Sequence, residues 1–157
     1  MRFLKIFLMS LCSWLLVSCS QQGSVLHDTQ GNPIAVAQLQ GKWVVINYWA
    51  TWCESCTQEI AELNRFYQHN QDKNIVLYGV SYDHMPRQDL QNAMKRLHIL
   101  YPVVLEDPAK IWALGEVEAL PVTFIIGPDG EVAKKILGKS TEKSLLTTIR
   151  GLQKNNL

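Results

Sequence analysis

Charge is scarce in this 157-residue chain: 18% of the residues are charged, with 15 Lys and Arg against 14 Asp and Glu for a formal net charge of +1. A balance so near zero leaves no electrostatic footprint for nucleic acid, and none is expected as a partner. With 47% apolar residues the chain also falls outside the disordered class, which combines few apolar residues with a large net charge. Cysteine is scarce too, and four of them are too few for a disulfide-built scaffold. No internal repeat, low-complexity tract or long linker divides the chain, so its length accommodates one domain. Long hydrophobic runs are missing as well. The apolar stretch Ile6 to Val17 has twelve residues and is broken by Ser10, Cys12 and Ser13, short of the roughly 20 that a membrane-spanning helix requires.

What is there begins with an address. Arg2 and Lys5 form a basic head before that apolar stretch, the layout of a signal peptide. Leu16-Val17-Ser18-Cys19 resembles the lipobox of bacterial lipoproteins, in which cleavage before the cysteine is coupled to acylation of its thiol. The resemblance implies a signal peptide over 1–18, a lipidated Cys19 with a short polar tether through residue 24, and a folded domain over 25–157. An ordinary secretory signal or an uncleaved anchor are the alternatives. Several acyl chains would hold the protein firmly on a membrane. Ser20 stands where an Asp commonly marks inner-membrane retention in the best-studied bacteria, which points to the outer membrane without closing the choice. The charge is then redistributed: removing residues 1–18 leaves 13 bases and 14 acids on the other 139 residues, a net of −1.

The remaining chain alternates strand and helix periods. Val25 to Asp28 reads as a short strand, Gln30 to Pro33 as a turn, and Val36 to Leu39 as a helical turn closed by Gly41. Trp43 to Tyr48 is an apolar strand of the kind buried on both faces. Ile60, Leu63, Phe66 and Tyr67 recur at helical spacing and predict a helix over 54–69. Ile75 to Ser81 reads as a buried strand, Arg87 to Leu97 as a helix, Val103 to Leu105 as a short strand and Pro108 to Leu114 as a brief helix. Val122 to Ile126 and Val132 to Leu137 form a hairpin around Gly127-Pro128-Asp129-Gly130. Thr141 to Leu152 closes the chain as a helix capped by Ser140 or Thr141. The order βαβαβαββα predicts a three-layer α/β/α sandwich with a central mixed sheet.

The chemistry sits between the buried strand and the first long helix, in Trp49-Ala50-Thr51-Trp52-Cys53-Glu54-Ser55-Cys56. A thiolate is the reacting species in disulfide exchange, and a helix N-terminus stabilises it with unpaired N–H groups and a partial positive charge. Cys53 stands at the helix mouth, placed to attack a disulfide; Cys56, one turn later on nearly the same face, is placed to attack the mixed disulfide that forms. A structural zinc site would need a second ligand pair, and neither a cysteine pair nor a close histidine pair exists for it. A covalent c-type haem needs His directly after the second cysteine, and residue 57 is Thr. A purely structural disulfide closing so short a loop would constrain little of the unfolded chain. No metal and no cofactor is expected.

These residues resemble the thioredoxin superfamily, and within it the TlpA/ResA-like thiol-disulfide oxidoreductases. The resemblance spans about residues 25–152 and is carried by Val45 to Cys56, Glu59, Ala119 to Ile126 and the Gly127–Gly130 turn. It implies a thioredoxin-like fold and a cis proline at Pro121 beside the cysteine pair, with Trp52, Leu120 and Pro121 forming the substrate-binding edge. Glu59, three residues after Cys56, matches an acid of the family pattern and is placed to exchange a proton with the resolving thiol. Thioredoxin itself carries a buried Asp on the preceding strand; here that position is Asn47. A solvated helical carboxylate is the alternative for Glu59. Ser55 and Ala61 depart from the pattern, since many relatives carry Pro at both.

Direction follows from electrostatics. Glu54, Ser55 and Glu59 all lean away from a stabilised thiolate, which favours a reductase over an oxidase or isomerase. The resemblance implies disulfides of apocytochrome c as the leading substrate, a membrane thiol transporter as electron donor, a periplasmic location and a monomer. Two further classes are weaker. Copper carriers related to this fold use CxxxC and a distant His, and peroxiredoxins place Thr three residues before the reactive Cys, whereas Thr51 lies two before Cys53. His27, His69, His84, His98 and the Lys134-Lys135 pair read as solvated side chains, and Tyr82 to Met85 as a segment following a strand end.

Overall fold

The computed structural model describes residues 23–71 and 73–155. The signal peptide expected over 1–18, the expected lipidation site Cys19 and the tether through residue 22 lie outside the described residues. Among the described residues, seven strands and three α-helices follow in the order β1 (Val25–His27), β2 (Pro33–Ala35), β3 (Trp43–Trp49), α1 (Glu54–Asn70), β4 (Ile75–Ser81), α2 (Arg87–Leu97), β5 (Val103–Val104), β6 (Val122–Ile126), β7 (Val132–Leu137) and α3 (Glu142–Asn155). Five strands form the central sheet in the order β5-β4-β3-β6-β7. β3, β4 and β5 run parallel, whereas β6 and β7 are antiparallel additions, so the sheet is mixed.

The strand pattern explains the layers. Every residue of β3 is buried, and alternate side chains serve two separate cores. Trp43, Val45 and Trp49 pack with Ile60, Leu63 and Phe66 of α1, Leu90 and Met94 of α2, and Leu145 and Ile149 of α3. Val44, Ile46 and Tyr48 pack on the other face with Val80, Phe124, Leu26, Leu39, Trp112 and Leu114. Among the described residues that second layer is built from the β1–β2 hairpin and two 3₁₀ turns, Val36–Leu39 and Pro108–Lys110, in place of long helices.

Several boundaries differ from the sequence reading: β1 stops at His27, β3 runs on to Trp49, α1 to Asn70 and α3 covers Glu142–Asn155, and three further differences have a local cause. Pro33, expected in a turn, opens β2, because Val25 to His27 need an antiparallel partner and Pro33 to Ala35 supply it. The helix expected over Pro108 to Leu114 stops after one 3₁₀ turn. Asp107 caps it by accepting from Ala109 N–H at 2.9 Å, but Ala113 takes a left-handed φ of 48° that no helix continues through. β5 ends at Val104 because Leu105 N–H bonds to His27 O at 2.9 Å instead of the sheet. The hairpin turn matches its sequence: Gly130 N–H closes on Gly127 O at 2.9 Å, and Gly130 has a φ of 86° that favours glycine. Thr141 caps α3 through a reciprocal pair with Ser144, its Oγ1 accepting from Ser144 N–H at 3.1 Å and its N–H donating to Ser144 Oγ at 2.9 Å.

Candidate active site

The site forms where β3 gives way to α1. Tyr82 N–H donates to Trp49 O at 2.8 Å, and Thr51 N–H donates to Asp83 Oδ2 at 2.7 Å, so the end of β4 braces the turn that leaves β3. Cys53 N–H then returns to Ala50 O at 3.2 Å, and Cys53 becomes the N-cap of α1 with extended backbone angles. Its Sγ accepts from Cys56 N–H at 3.2 Å, the contact by which a helix N-terminus favours sulfur charge. Cys53 and Cys56 are joined as a disulfide with Cα atoms 5.2 Å apart. Both are buried, Cys53 at 6% exposure and Cys56 at 1%, so exchange is confined to the Cys53 side. Trp52 beside them is 69% exposed.

The cis-proline loop reaches the same end of the sheet. Val122 pairs with Tyr48, which brings Leu120 and Pro121 level with the turn after β3. The Leu120–Pro121 peptide is cis. Leu120 is half-buried against the core that contains both cysteines, and Pro121 is buried, its carbonyl accepting from Gly138 N–H at 2.9 Å. Cys53, Cys56, Trp52, Leu120 and Pro121 are therefore gathered at one pole.

Glu59 lies in the interior at 2% exposure, so the solvated alternative is overturned. Its Oε1 accepts from Asn47 Nδ2 at 2.8 Å and its Oε2 from Ser140 N–H at 2.6 Å. Asn47 Nδ2 also reaches Thr123 Oγ1 at 3.1 Å on the paired strand β6, and Ser140 Oγ donates to the same oxygen at 3.4 Å. Burial pushes the Glu59 carboxyl above the ordinary range; the Ser140 N–H, the Asn47 amide and the nearby Lys139 charge pull the other way and do not cancel it. Lys139 is itself tied to α1 by a 2.9 Å bond from Nζ to Gln58 Oε1. A carboxyl held this way keeps its proton to higher pH than an exposed one, which suits it to accept a proton from a neighbouring thiol and return it.

Beside the expected residues Cys53, Cys56, Glu59, Trp52, Leu120 and Pro121, the structure places Thr123, Lys139 and Ser140 around Glu59, and the sequence assigns none of these three to the site. Asn47 carried a signal as the one polar residue in β3. Thr123 sits in an apolar run and Ser140 acts through its backbone, which no residue type announces. Three side chains read as solvated are less free than their sequence suggests: His27 Nδ1 meets Glu106 at 2.8 Å, His69 Nδ1 meets Glu142 at 2.8 Å, and Lys135 Nζ lies 5.5 Å from the Phe124 ring centroid. Among the described residues no group of three or more His, Cys, Asp or Glu could hold a metal ion.

The AhpC/TSA family model matches residues 21–135. A thiol-disulfide oxidoreductase, ResA, of Bacillus subtilis is 34% identical over 121 residues, covering 77% of this chain and 67% of its own length. The chain belongs to the AhpC/TSA family, in its ResA-like branch. It is a thiol-disulfide oxidoreductase with a thioredoxin-type fold. A ResA of Bacillus cereus is 31% identical over 121 residues, covering 77% of this chain and 69% of its own. Among solved structures, a thiol:disulfide interchange protein of Chlorobium tepidum superposes with a TM-score of 0.69 at 23% identity, over 82% of this chain and 92% of that one. StoA of Bacillus subtilis superposes with a TM-score of 0.67 at 20% identity, over 80% and 95%. These two likenesses speak for the fold.

Proposed function

We propose that the protein is a lipid-anchored, extracytoplasmic reductase of protein disulfides, with apocytochrome c before haem attachment as its leading substrate class. The reading of Glu59 is supported above all by its burial between Asn47 and Ser140, one turn below Cys56. In the reduced protein the Cys53 thiolate attacks a substrate disulfide, forming a mixed disulfide and releasing one substrate thiolate. Glu59 accepts the Cys56 proton, and the Cys56 thiolate attacks Cys53 Sγ, expelling the second substrate thiolate. Two electrons pass to the substrate, and the protein is left with the Cys53–Cys56 disulfide. Trp52, Leu120 and Pro121 hold the substrate chain alongside. Return to the dithiol requires a second dithiol, which a membrane thiol transporter supplies from across the membrane.

The direction rests on what surrounds the pair. Glu54 and Ser55 separate the cysteines, and no basic residue stands between them to favour a persistent thiolate. Measuring the reduction potential tests this directly: a value near thioredoxin is expected, on the order of −270 mV, and one near the strong periplasmic oxidants, on the order of −120 mV, would overturn it. Cys56→Ala is expected to leave Cys53 locked in mixed disulfides. Mass spectrometry of those conjugates names the substrate and the donor, and an absence of c-type apocytochromes among them would remove that substrate class.

A further inference from the structure

The described chain begins at the pole opposite the redox pair. Ser24 O accepts from Val36 N–H at 3.0 Å, and Gly23 and Ser24 share one surface depression with Val44, Ile126 and Gly127. Those residues mark the start of β3, the end of β6 and the turn into β7. Gly41 N–H bonds to Pro128 O at 2.9 Å and ties the approach to β3 to that same turn. Cys53 follows the other end of β3, seven residues along, which at roughly 3.3 Å per residue sets the two poles about 20 Å apart.

Only residues 20–22 separate Cys19 from Gly23. Four Cα steps reach at most about 14 Å when fully extended. A compact domain of this length is about 36 Å across, so such a tether cannot let the domain turn over on its anchor. Laid on its side, the domain would still hold the far pole roughly one radius, about 18 Å, above the surface.

We infer that the acylated protein stands on its membrane with the Gly127–Gly130 turn nearest the lipid and the Cys53–Cys56 pair facing away. It therefore exchanges disulfides with domains that project from the membrane or move free of it, and not with thiols at headgroup level. The exposed Trp52 at the far pole is then a contact for a protein partner, held out of reach of the interfacial zone where tryptophan otherwise anchors in lipid. For electron supply this selects a donor whose dithiol is carried on a domain standing clear of the bilayer. The inference rests on the acylation of Cys19 proposed above.

The test uses the chain from Cys19 to Leu157 with Cys53 and Cys56 oxidised, so that Cys19 is its one free thiol. Coupling Cys19 to maleimide lipid in phosphatidylcholine vesicles fixes the anchor chemically. Two reductants are compared by alkylation gel shift: soluble dithiothreitol, and a lipid bearing a dihydrolipoyl headgroup added to the same leaflet after coupling. Dithiothreitol is expected to reduce the coupled and uncoupled chains at the same rate. The lipid dithiol is expected to act about tenfold more slowly on the native tether than on a variant with some 30 Gly and Ser residues inserted after Gln22, because effective concentration collapses when a linker cannot span the gap and that insert spans about 30 Å. Equal rates for the two tethers would overturn the orientation. Separately, mass spectrometry of the protein from cell membranes reads the Cys19 modification, and an unacylated Cys19 would overturn the anchoring itself.

Discussion

Glu59 and Ser140 are joined across the fold by a 2.6 Å bond from the Ser140 N–H to Oε2, although one lies on α1 and the other in the loop after β7. Asn47 Nδ2 holds the other oxygen at 2.8 Å. Because burial raises the Glu59 carboxyl, the unfolded chain gives up this proton at lower pH than the folded one. The group therefore favours the folded state least once pH has passed its folded value, and its cost is absent below the ordinary value of 4.5. Glu59→Gln is expected to match the parent in stability near pH 4 and to exceed it increasingly as pH rises past the ordinary carboxyl range. The same variant should slow resolution of a Cys53 mixed disulfide by about a hundredfold and flatten the pH dependence of that step. Urea unfolding at two pH values and stopped-flow resolution rates check the two halves separately, and a resolution rate unchanged by the substitution would remove Glu59 from the chemistry.

Asn47 supplies the contrast. Asn47→Asp replaces a donor by an acceptor 2.8 Å from Glu59 Oε1 and puts two carboxyl groups in one buried site. Two such groups cannot both ionise cheaply, so one is driven further up. A rise of about 2 pH units corresponds to about 2.7 kcal/mol. By the linkage argument that loss is absent at low pH and grows as pH climbs past the ordinary carboxyl range. The variant is expected to unfold at nearly the parent urea midpoint near pH 4 and well below it at pH 8. A pH-independent loss would mean that shape, not charge, decides what β3 tolerates here.

Much of this was legible beforehand, for reasons that differ between residues. The β3–α1 junction was visible because a strand apolar but for Asn47 changes to helical period at the Trp52-Cys53 step, and local periodicity records local structure. Glu59 was visible by its spacing from Cys56, but its burial was not, since a lone Glu on a helix is most often solvated. What buries it is long-range: β6 carries Thr123 beneath Asn47, and the β7–α3 loop delivers a backbone N–H. Backbone donors leave no trace in residue identity. β1 was read as a strand, but its partner β2 escaped for a related reason, because Pro33 to Ala35 is too short to show a period and only its pairing defines it.

Gly79 carries a prediction that the strand pattern hides. It pairs with Asn47 in the middle of β4, where glycine ordinarily weakens a strand. A Cβ there would lie 2.9 Å from Tyr101 Cε2, 3.0 Å from Val103 Cγ2 and 3.1 Å from Trp49 Nε1. All three neighbours are buried in the sheet's core, and Tyr101 and Trp49 are each 1% exposed. Gly79→Ala is expected to cost about 1–3 kcal/mol through overpacking. It should also perturb the redox turn, because Trp49 is the last residue of β3 before it. A thermal melt measures the first effect and the Trp52 fluorescence change on reduction, compared with the parent, the second. A neutral melt would show that the ring of Tyr101 moves aside freely.

Asp83 sets the last prediction, since its carboxylate holds the turn from outside the cysteine pair. It accepts from Thr51 N–H at 2.7 Å, while its own N–H donates to Ser81 Oγ at 3.3 Å. The Thr51 amide is two residues from Cys53, so its bond helps fix the approach to the N-cap. Asp83→Asn keeps an acceptor and removes the charge; Asp83→Ala removes both. A half-exposed charge contributes little by itself, whereas a freed backbone donor loses a bond worth about 1–2 kcal/mol. Asp83→Asn is therefore expected to keep the parent's Thr51 amide exchange rate, and Asp83→Ala to raise it by about an order of magnitude with a matching loss of stability. If both variants exchanged alike, the brace would lie in Tyr82 N–H and Trp49 O alone, and the β4 end would act on the site through backbone pairing without help from its acid.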